Sequence, residues 1–313
     1  MKQKHSAAPI FMLIFVLSFL FCHAVAVPDG LSGVLKLQDH TRISHDTYFL
    51  SRKRHPHKPE KFVHGYAFLN LHTKTREHLP SAGMIHREKH HHFQRSIVTH
   101  EFHSYERKQL AQSLPTCTGP ISEGTAWKES RGYYLHTKNR NGLTSAFLID
   151  AIQKASDAWR CGMSDFEKLV DGGVLGVVDA TSGESINLDA PDGFNEVGFA
   201  SIQGHPGTVA VTIVWAIFDG PIADREIVEF DMIFDGEHYA WGDGSLNANV
   251  MDLQAIATHE NGHRYGLDDI YDPLCESVTM YGTSSEGETI KRSLHTLDLQ
   301  GLSLLYGPLA PQR

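Results

Sequence analysis

The spacing of apolar residues predicts an amphipathic helix in the middle of the chain. Between residues 144 and 160, apolar side chains recur at intervals of three and four, the period of a helix with one buried face. Thr144 stands where an N-cap is expected, because its hydroxyl can accept a hydrogen bond from a free backbone amide. We therefore predict a helix that runs from Thr144 to about Arg160 and packs on the core.

Other apolar segments predict strands. Thr208–Phe218 is rich in β-branched residues, and Glu226–Asp235 alternates apolar with acidic residues. Weaker strand candidates are Tyr133–His136, Val174–Val178 and Val197–Ile202. A second helix is expected to begin near Asp252, a residue suited to the N-cap. This mixture of elements predicts an α+β fold.

The N-terminus differs in kind from the rest of the chain. Lys2 and Lys4 precede the apolar run Ile10–Cys22, and Ala24–Ala26 supplies the small residues of a cleavage site. The run is shorter than the about 20 residues that span a bilayer. We interpret residues 1–26 as a secretory signal peptide and expect a secreted, extracellular protein with no stable membrane anchor.

Residues 27–115 are rich in His, Lys and Arg and poor in long apolar periodicity, and six of the 21 histidines lie between His86 and His103. The cluster Ser51–Arg54 suits a processing protease. The segment is either a propeptide that keeps the protein latent or a solvated, partly disordered extension with incidental histidines. The formal net charge of −9 argues against nucleic-acid binding.

The strongest chemical signal is a motif near the C-terminus. On a helix, His259 and His263 project from one face and can bind one metal ion, and Glu260 beside them can hold an attacking water. Gly266 permits the sharp turn that would bring Asp269 back toward the metal. Three protein ligands leave a fourth position for water, which is the arrangement of a catalytic zinc site.

Two later segments extend this motif. Ser277–Gly282 is turn-like and contains Met280, and Asp298–Gly307 has the character of a closing helix. A zinc helix followed by a methionine turn resembles the metzincin clan of metallopeptidases, and the closing segment resembles the last helix of a matrixin catalytic domain. Matrixins carry a third His where this chain has Asp269, which is similar to the snapalysin-type metzincins. The resemblance covers residues 116–313 and is strong only over 253–307.

The resemblance implies a zinc metalloendopeptidase made as a zymogen, with a twisted, mostly parallel sheet and an antiparallel edge strand. One catalytic zinc would be held by His259, His263 and Asp269, with Glu260 as general base. Asp268 is the competing third ligand, and the family spacing favours Asp269. The expected partner is a protein or peptide substrate, and a monomer is expected.

The resemblance also implies roles for residues around the site. Thr208–Phe218 would be the edge strand that binds an extended peptide through main-chain hydrogen bonds, or else an internal strand. Met280 would form an apolar floor beneath the histidines, and Tyr281 would line the pocket or simply pack there. Acidic residues such as Asp235 and Asp243 could bind structural calcium.

Three cysteines follow the signal peptide, and two of them are expected to pair in an oxidising compartment. Cys275 lies between the third ligand and the methionine turn, and its partner is either Cys117 or Cys161. A latency role for Cys117 as a thiolate on zinc is not expected, because its surroundings lack the Arg of the matrixin switch.

Two other functions are compatible with the sequence. A non-catalytic secreted metal-binding protein would use the His-rich residues 86–103, and several weak ions there would distinguish it from one tight zinc in the C-terminal half. A protease fold retained only for binding is the third reading, and the intact Glu260 argues against it. We favour the protease, with a signal peptide at 1–26, a propeptide at 27–115 and a catalytic domain at 116–313.

Overall fold

The computed structural model describes residues 34–37, 40–43, 47–54, 62–72, 117–129, 131–160, 173–179 and 185–307. The predicted signal peptide, the histidine cluster from His86 to His103 and Cys161 lie outside these ranges. Within them, no helix is both long and apolar enough to cross a membrane.

The described chain contains more residues in strands than in its three α-helices. The strands are β1 (Val34–Lys36), β2 (Thr41–Arg42), β3 (Thr47–Arg54), β4 (Phe62–His72), β5 (Tyr133–His136), β6 (Val174–Val178), β7 (Glu196–Gln203), β8 (Thr208–Ile217), β9 (Glu226–Asp235), β10 (Trp241–Gly242), β11 (Met251–Asp252) and β12 (Thr283–Ser284). The helices are α1 (Ser145–Asp157), α2 (Leu253–Arg264) and α3 (Thr296–Tyr306). This content confirms the predicted α+β class.

The main sheet has the strand order β2-β3-β4-β8-β9-β7-β5-β6. From β9 to β6 neighbouring strands are parallel, whereas from β2 to β9 they are antiparallel. Strand β1 pairs with the end of β7, and β12 pairs with the end of β4. The small sheet of β10 and β11 stands apart.

The antiparallel half is larger than the sequence predicts. A mostly parallel sheet with one antiparallel edge strand was expected, and β8 was one candidate for that edge. Instead, β4 pairs along β8 from His64, opposite Ala216, to Leu71, opposite Thr208. Strand β4 is buried from Val63 onward, and its polar residues interrupt the continuous apolar run that is typical of a strand buried on both faces. Strands from the predicted propeptide range therefore share one sheet with the C-terminal region.

Apolar side chains form a core on each face of the main sheet. Helices α1 and α2 cover one face, where Ile152 and Ile256 pack with β-strand residues such as Phe230. The opposite core joins residues of β1, β3 and β4 to Trp215 and Ile233. Strand β4 contributes to both cores, so its two faces are both covered.

Helix boundaries follow the predicted caps. The Thr144 hydroxyl accepts a hydrogen bond from the Phe147 amide at 3.2 Å and begins α1, which ends at Asp157, slightly before the expected end. Asp252 accepts from the Ala255 amide at 2.7 Å and begins α2. Side-chain acceptors at both positions satisfy amides that no helical carbonyl can reach.

A disulfide joins Cys117 to Cys275, with Cα atoms 5.4 Å apart. The bond ties the start of the C-terminal region to the segment just before the methionine turn, and both sulfurs are buried beside Val278. It decides between the two partners that the sequence leaves open for Cys275. Since the sulfur of Cys117 is bonded, Cys117 offers no free thiolate to a metal.

Candidate metal centre

Helix α2 and the turn after it bring three metal-ligating side chains together. His259 and His263 lie one turn apart with ring centroids separated by 4.9 Å. Gly266 then adopts φ +94°, in the left-handed region that glycine tolerates, and redirects the chain. Asp269 returns so that its Oδ1 lies 3.2 Å from Nε2 of His259 and 3.6 Å from Nε2 of His263. The turn predicted at Gly266 is thus the device that completes the cluster.

Backbone carbonyls fix the orientation of both imidazoles. Nδ1 of His259 lies 2.7 Å from the Thr279 carbonyl, and Nδ1 of His263 lies 2.9 Å from the Leu267 carbonyl. A carbonyl can only accept, so each Nδ1 carries the hydrogen and donates it. Each Nε2 therefore faces Asp269 and, once unprotonated, offers its lone pair to a metal, as is usual for histidines that bind a metal.

The unsatisfied atoms of this cluster fit a bound cation. Nε2 of both histidines and both carboxylate oxygens of Asp269 are buried and have no hydrogen-bond partner in the described structure. Two lone pairs facing a carboxylate repel one another unless a positive charge lies between them. The donor set of two nitrogens and one carboxylate oxygen suits zinc. In the described residues this is the one group of three such side chains whose ligand atoms all lie within 4.8 Å of one another.

Asp269 also sets the protonation of the cluster. Burial alone would lower the pKa of His263, but the neighbouring Asp269 carboxylate outweighs burial and raises it to about 9. Burial prevails at His259 and lowers its pKa to about 4. Burial would raise the pKa of Asp269, yet the two imidazoles hold it well below its ordinary value. The metal-free cluster therefore holds one extra proton at neutral pH.

Asp268, the competing third ligand, points elsewhere. Its Oδ1 accepts a hydrogen bond from the Asp269 amide at 2.9 Å, and its own amide donates to the Gly119 carbonyl at 3.0 Å. The cluster of ligand atoms contains Asp269 and not Asp268. The geometry thus agrees with the spacing argument from the sequence.

Glu260 lies beside the cluster, fully buried, and is held by a residue that sequence reasoning missed. Thr212 on β8 donates a hydrogen bond of 2.6 Å to Oε2 of Glu260, whereas Oε1 has no hydrogen-bond partner within the described part of the chain. Burial raises the pKa of Glu260 to about 7. The role of Thr212 depends on how β8 lies against α2, and no local sequence pattern signals it.

The methionine turn packs closely against α2. A Cβ atom on Gly262 would lie 2.0 Å from Sδ of Met280, so the glycine allows this sulfur to lie against the backbone of α2. The buried carboxylate of Asp298 accepts hydrogen bonds from the Thr279 and Met280 amides at 3.0 and 3.2 Å. Gly262 and Asp298 were not singled out in the sequence; both position the turn whose carbonyl orients His259.

A buried lysine supports the segment after the turn. Nζ of Lys291 donates to the carbonyls of Tyr281 and Thr283 at 2.5 and 2.6 Å and to Oγ of Ser284 at 3.0 Å. Burial lowers the pKa of this amine. Lys291 thereby fixes β12 at the rim of the site, and the half-buried Tyr281 lies within the same rim.

Asn261 and Arg264, which depart from the matrixin pattern, form a buried pair. Nη1 of Arg264 donates to Oδ1 of Asn261 at 3.2 Å. The Arg264 guanidinium lies over the rings of Phe230, Tyr133 and Tyr265 at 4.6–5.1 Å from their centroids. Cation–π contacts of this kind stabilise a buried guanidinium that forms no ion pair with a carboxylate among the residues described. The two departures thus compensate for one another on the face of α2 away from the metal ligands.

The residues proposed for calcium are engaged in ion pairs. Oδ2 of Asp235 lies 2.7 Å from Nδ1 of His238, and Oδ1 of Asp243 lies 2.5 Å from Nη2 of Arg292. Neither aspartate belongs to a group of ligand atoms close enough to hold a cation in the described ranges. Calcium binding remains a prediction without structural support at these positions.

Comparisons with known proteins give a partial likeness. No protein-family model matches the chain. Matrix metalloproteinase-16 from Rattus norvegicus, Homo sapiens and Mus musculus is in each case 30% identical over 130 residues, which is 37% of this chain. The match spans only 21% of the length of those relatives. The likeness suggests a distant relationship to matrix metalloproteinases.

Proposed function

We propose that this protein is a zinc-dependent metalloendopeptidase with a metzincin-type site. The observation that carries the proposal is a set of buried ligand atoms on His259, His263 and Asp269 next to Oε1 of Glu260, none of which has a hydrogen-bond partner among the described residues. The distant likeness to matrix metalloproteinase-16 supports the same reaction class. A purely structural zinc would have no need of a buried, half-free carboxylate beside it.

In this proposal His259, His263 and Asp269 hold the zinc ion, and their orientation is maintained by the carbonyls of Thr279 and Leu267. When bound, zinc polarises the scissile carbonyl as a Lewis acid and makes the attacking water more acidic. The protein has to keep the two Nε2 atoms unprotonated, because a protonated imidazole cannot act as a ligand.

Glu260 moves the proton. Its free Oε1 takes a proton from the attacking water as the new carbon–oxygen bond forms, and delivers that proton to the amine nitrogen as the carbon–nitrogen bond breaks. Thr212 holds Oε2, so that the carboxylate keeps one orientation during both transfers. Burial raises the pKa of Glu260 to about 7 in the metal-free site, and the positive charge of bound zinc would lower it, so that the carboxylate is ready to accept a proton.

The biological setting that we propose follows from the sequence. The protein is secreted after removal of residues 1–26 and is made as a zymogen whose propeptide lies in 27–115. Its partners are protein or peptide substrates, it has no stable membrane anchor, it binds no nucleic acid, and it acts as a monomer.

Metal removal and replacement test the proposal. The protein, processed by limited proteolysis, is dialysed against a chelator and assayed on an unfolded protein such as casein before and after addition of one equivalent of zinc. We expect activity to disappear and then return with one zinc per chain. Activity that survives complete metal removal would refute the proposal.

A further inference from the structure

Strand β4 lies between β8 on one edge and, on the other edge, β3 from Phe62 to Phe68 and β12 at Leu71 and His72. It pairs antiparallel with β8 over most of its length, and its end pairs in parallel with β12, where Leu71 lies opposite Thr283. The Leu71 amide also donates to the Gly282 carbonyl at 3.2 Å. A peptide that is bonded to β8 along its length and to β12 at its end is held as β-augmentation holds a ligand.

The same strand passes over the candidate metal centre. Phe68 lies directly opposite Thr212 in the pairing with β8, so the two side chains point to the same face of the sheet. On that face Thr212 reaches Glu260, and the Phe68 ring stacks on His263 with centroids 5.1 Å apart and planes 19° apart. His259, Glu260 and His263 are each 0% exposed, so a substrate cannot reach them while β4 is in place.

We propose that β4 is an internal substrate mimic that closes the metal centre, so that the folded chain is latent until β4 leaves the cleft. This inference rests on the proposed function, since it names the regulation of that site. Closure is steric: the group of His, Cys, Asp and Glu ligands found in the described residues contains no side chain of β4. A substrate would take the place of β4, running antiparallel to β8 with an apolar side chain where Phe68 now lies.

Strand β4 is less well satisfied than a permanent core strand. Asn70, on the same face as Phe68 and fully buried, has no hydrogen-bond partner for either atom of its amide group within the described ranges. Burial of an unpaired amide is unfavourable, and release of the strand would return Asn70 to water. In strand β8, by contrast, the buried Thr212 hydroxyl is satisfied, because it donates a hydrogen bond to Glu260.

The face of β4 away from the metal centre has a close contact that keeps the strand in the sheet. A Cβ atom on Gly65 would lie 2.2 Å from the ring of Trp215, which is fully buried and donates its Nε1 hydrogen to Asp231 at 3.3 Å. The tryptophan cannot yield easily to an added methyl group, so Gly65→Ala should loosen β4 without a change at the metal site. Gly119→Ala is the matched control, because no atom lies within 4 Å of the position of its added Cβ.

The first test measures access to the cleft separately from turnover. The probe is a fluorescent peptide that copies residues 62–72, added to the zinc-loaded full chain. We expect the Gly65→Ala protein to bind the peptide at least about tenfold more tightly than the wild type does. Gly119→Ala should bind it as the wild type does. A tenfold change in affinity corresponds to about 1.4 kcal/mol. A copy with Phe68→Ala should bind more weakly. Equal binding by all three proteins, with Gly65→Ala folded as judged by circular dichroism, would overturn the inference.

A second variant guards against misfolding of Gly65→Ala. Ala67 and Ile213 face each other across β4 and β8 on the side away from the metal, so Ala67→Cys with Ile213→Cys should allow a disulfide that locks the strand. The oxidised double variant should exclude the peptide, and mild reduction should restore wild-type binding, with reduced wild type as control. Peptide binding by the locked form would refute the mimic. If the peptide binds as expected but the zinc-loaded protein, processed by limited proteolysis, leaves casein intact, the closure of the cleft by β4 stands and the protease proposal fails.

Discussion

The hydroxyl of Thr212 donates a 2.6 Å hydrogen bond to Oε2 of Glu260 and leaves Oε1 without a hydrogen-bond partner in the described structure. This contact links the strand that would bind the substrate to the group that would move the proton. Both side chains are fully buried, so water cannot substitute for the bond. The position of β8 thus determines which oxygen of Glu260 is available for chemistry.

Thr212→Val should impair catalysis and leave metal binding intact. Loss of the hydroxyl removes a hydrogen bond that favours the charged carboxylate, so the pKa of Glu260 should rise further. Because the base acts when deprotonated, the acidic limb of kcat/KM against pH should move to higher pH, with a fall of about tenfold at neutral pH. Thr212→Ser should restore the wild-type profile. An unmoved limb in Thr212→Val would remove Thr212 from this role.

Asp269→Asn should weaken zinc binding by about 100-fold or more, because it removes the negative charge that offsets the ion. The neighbouring Asp268→Asn is the matched control and should leave the affinity within about threefold, since Asp268 is not part of the cluster. Competition with a fluorescent chelator measures both constants. The reverse order of the two variants would show that Asp268 is the ligand.

Zinc uptake should release about one proton per ion at pH 7. In the metal-free protein the pKa of His263 is raised to about 9, so this imidazole is charged at pH 7 and must lose its proton to bind. The zinc affinity should therefore rise about tenfold per pH unit until pH 9. Calorimetry in two buffers with different ionisation enthalpies counts the protons, and zinc binding without proton release would contradict the prediction.

The same shift predicts how the stability of the metal-free chain depends on pH. Because the pKa of folded His263 lies above its ordinary value of 6.5, its contribution is fully present below pH 6.5 and is lost as pH rises through 9. The free energy of unfolding from urea titrations should fall across this window. A rise in stability over the same window would contradict the assignment.

Asp298→Ala should destabilise the protein by about 3 kcal/mol, because it leaves buried amides of the methionine turn without their acceptor. Asp298 is fully buried and bonds the Thr279 and Met280 amides. Asp150→Ala on the exposed face of α1 is the control; its pair with Lys154 is solvent-exposed, and its loss should cost about 0.5 kcal/mol. Urea unfolding measures both, and similar losses would argue against a structural role for Asp298.

Local sequence patterns predicted the elements that build the cluster. The caps at Thr144 and Asp252, the helix between the two histidines and the left-handed Gly266 all depend on neighbours in the chain, so short-range rules reach them. The turn at Gly266 also accounts for the position of Asp269 beside the two histidines. These features needed no knowledge of the rest of the fold.

Contacts between distant segments could not be predicted in this way. The pairing of β4 with β8, the bond from Thr212 to Glu260 and the hold of Asp298 on the methionine turn join residues far apart in the chain. His, Gly and Asn within β4 interrupt the continuous apolar run that is typical of a strand buried on both faces. Which cysteine pairs with Cys275 was likewise a question of tertiary structure.

The most direct test of the central claim compares the zinc-loaded protein with its Glu260→Ala twin. Both are processed by limited proteolysis, shown to hold one zinc per chain, and assayed for casein hydrolysis. We predict that the parent cleaves and that the twin loses nearly all turnover, because the three ligands stay and the base is gone. If the twin hydrolyses casein as fast as its parent, or if neither does while both hold zinc, the cluster does not perform this hydrolysis.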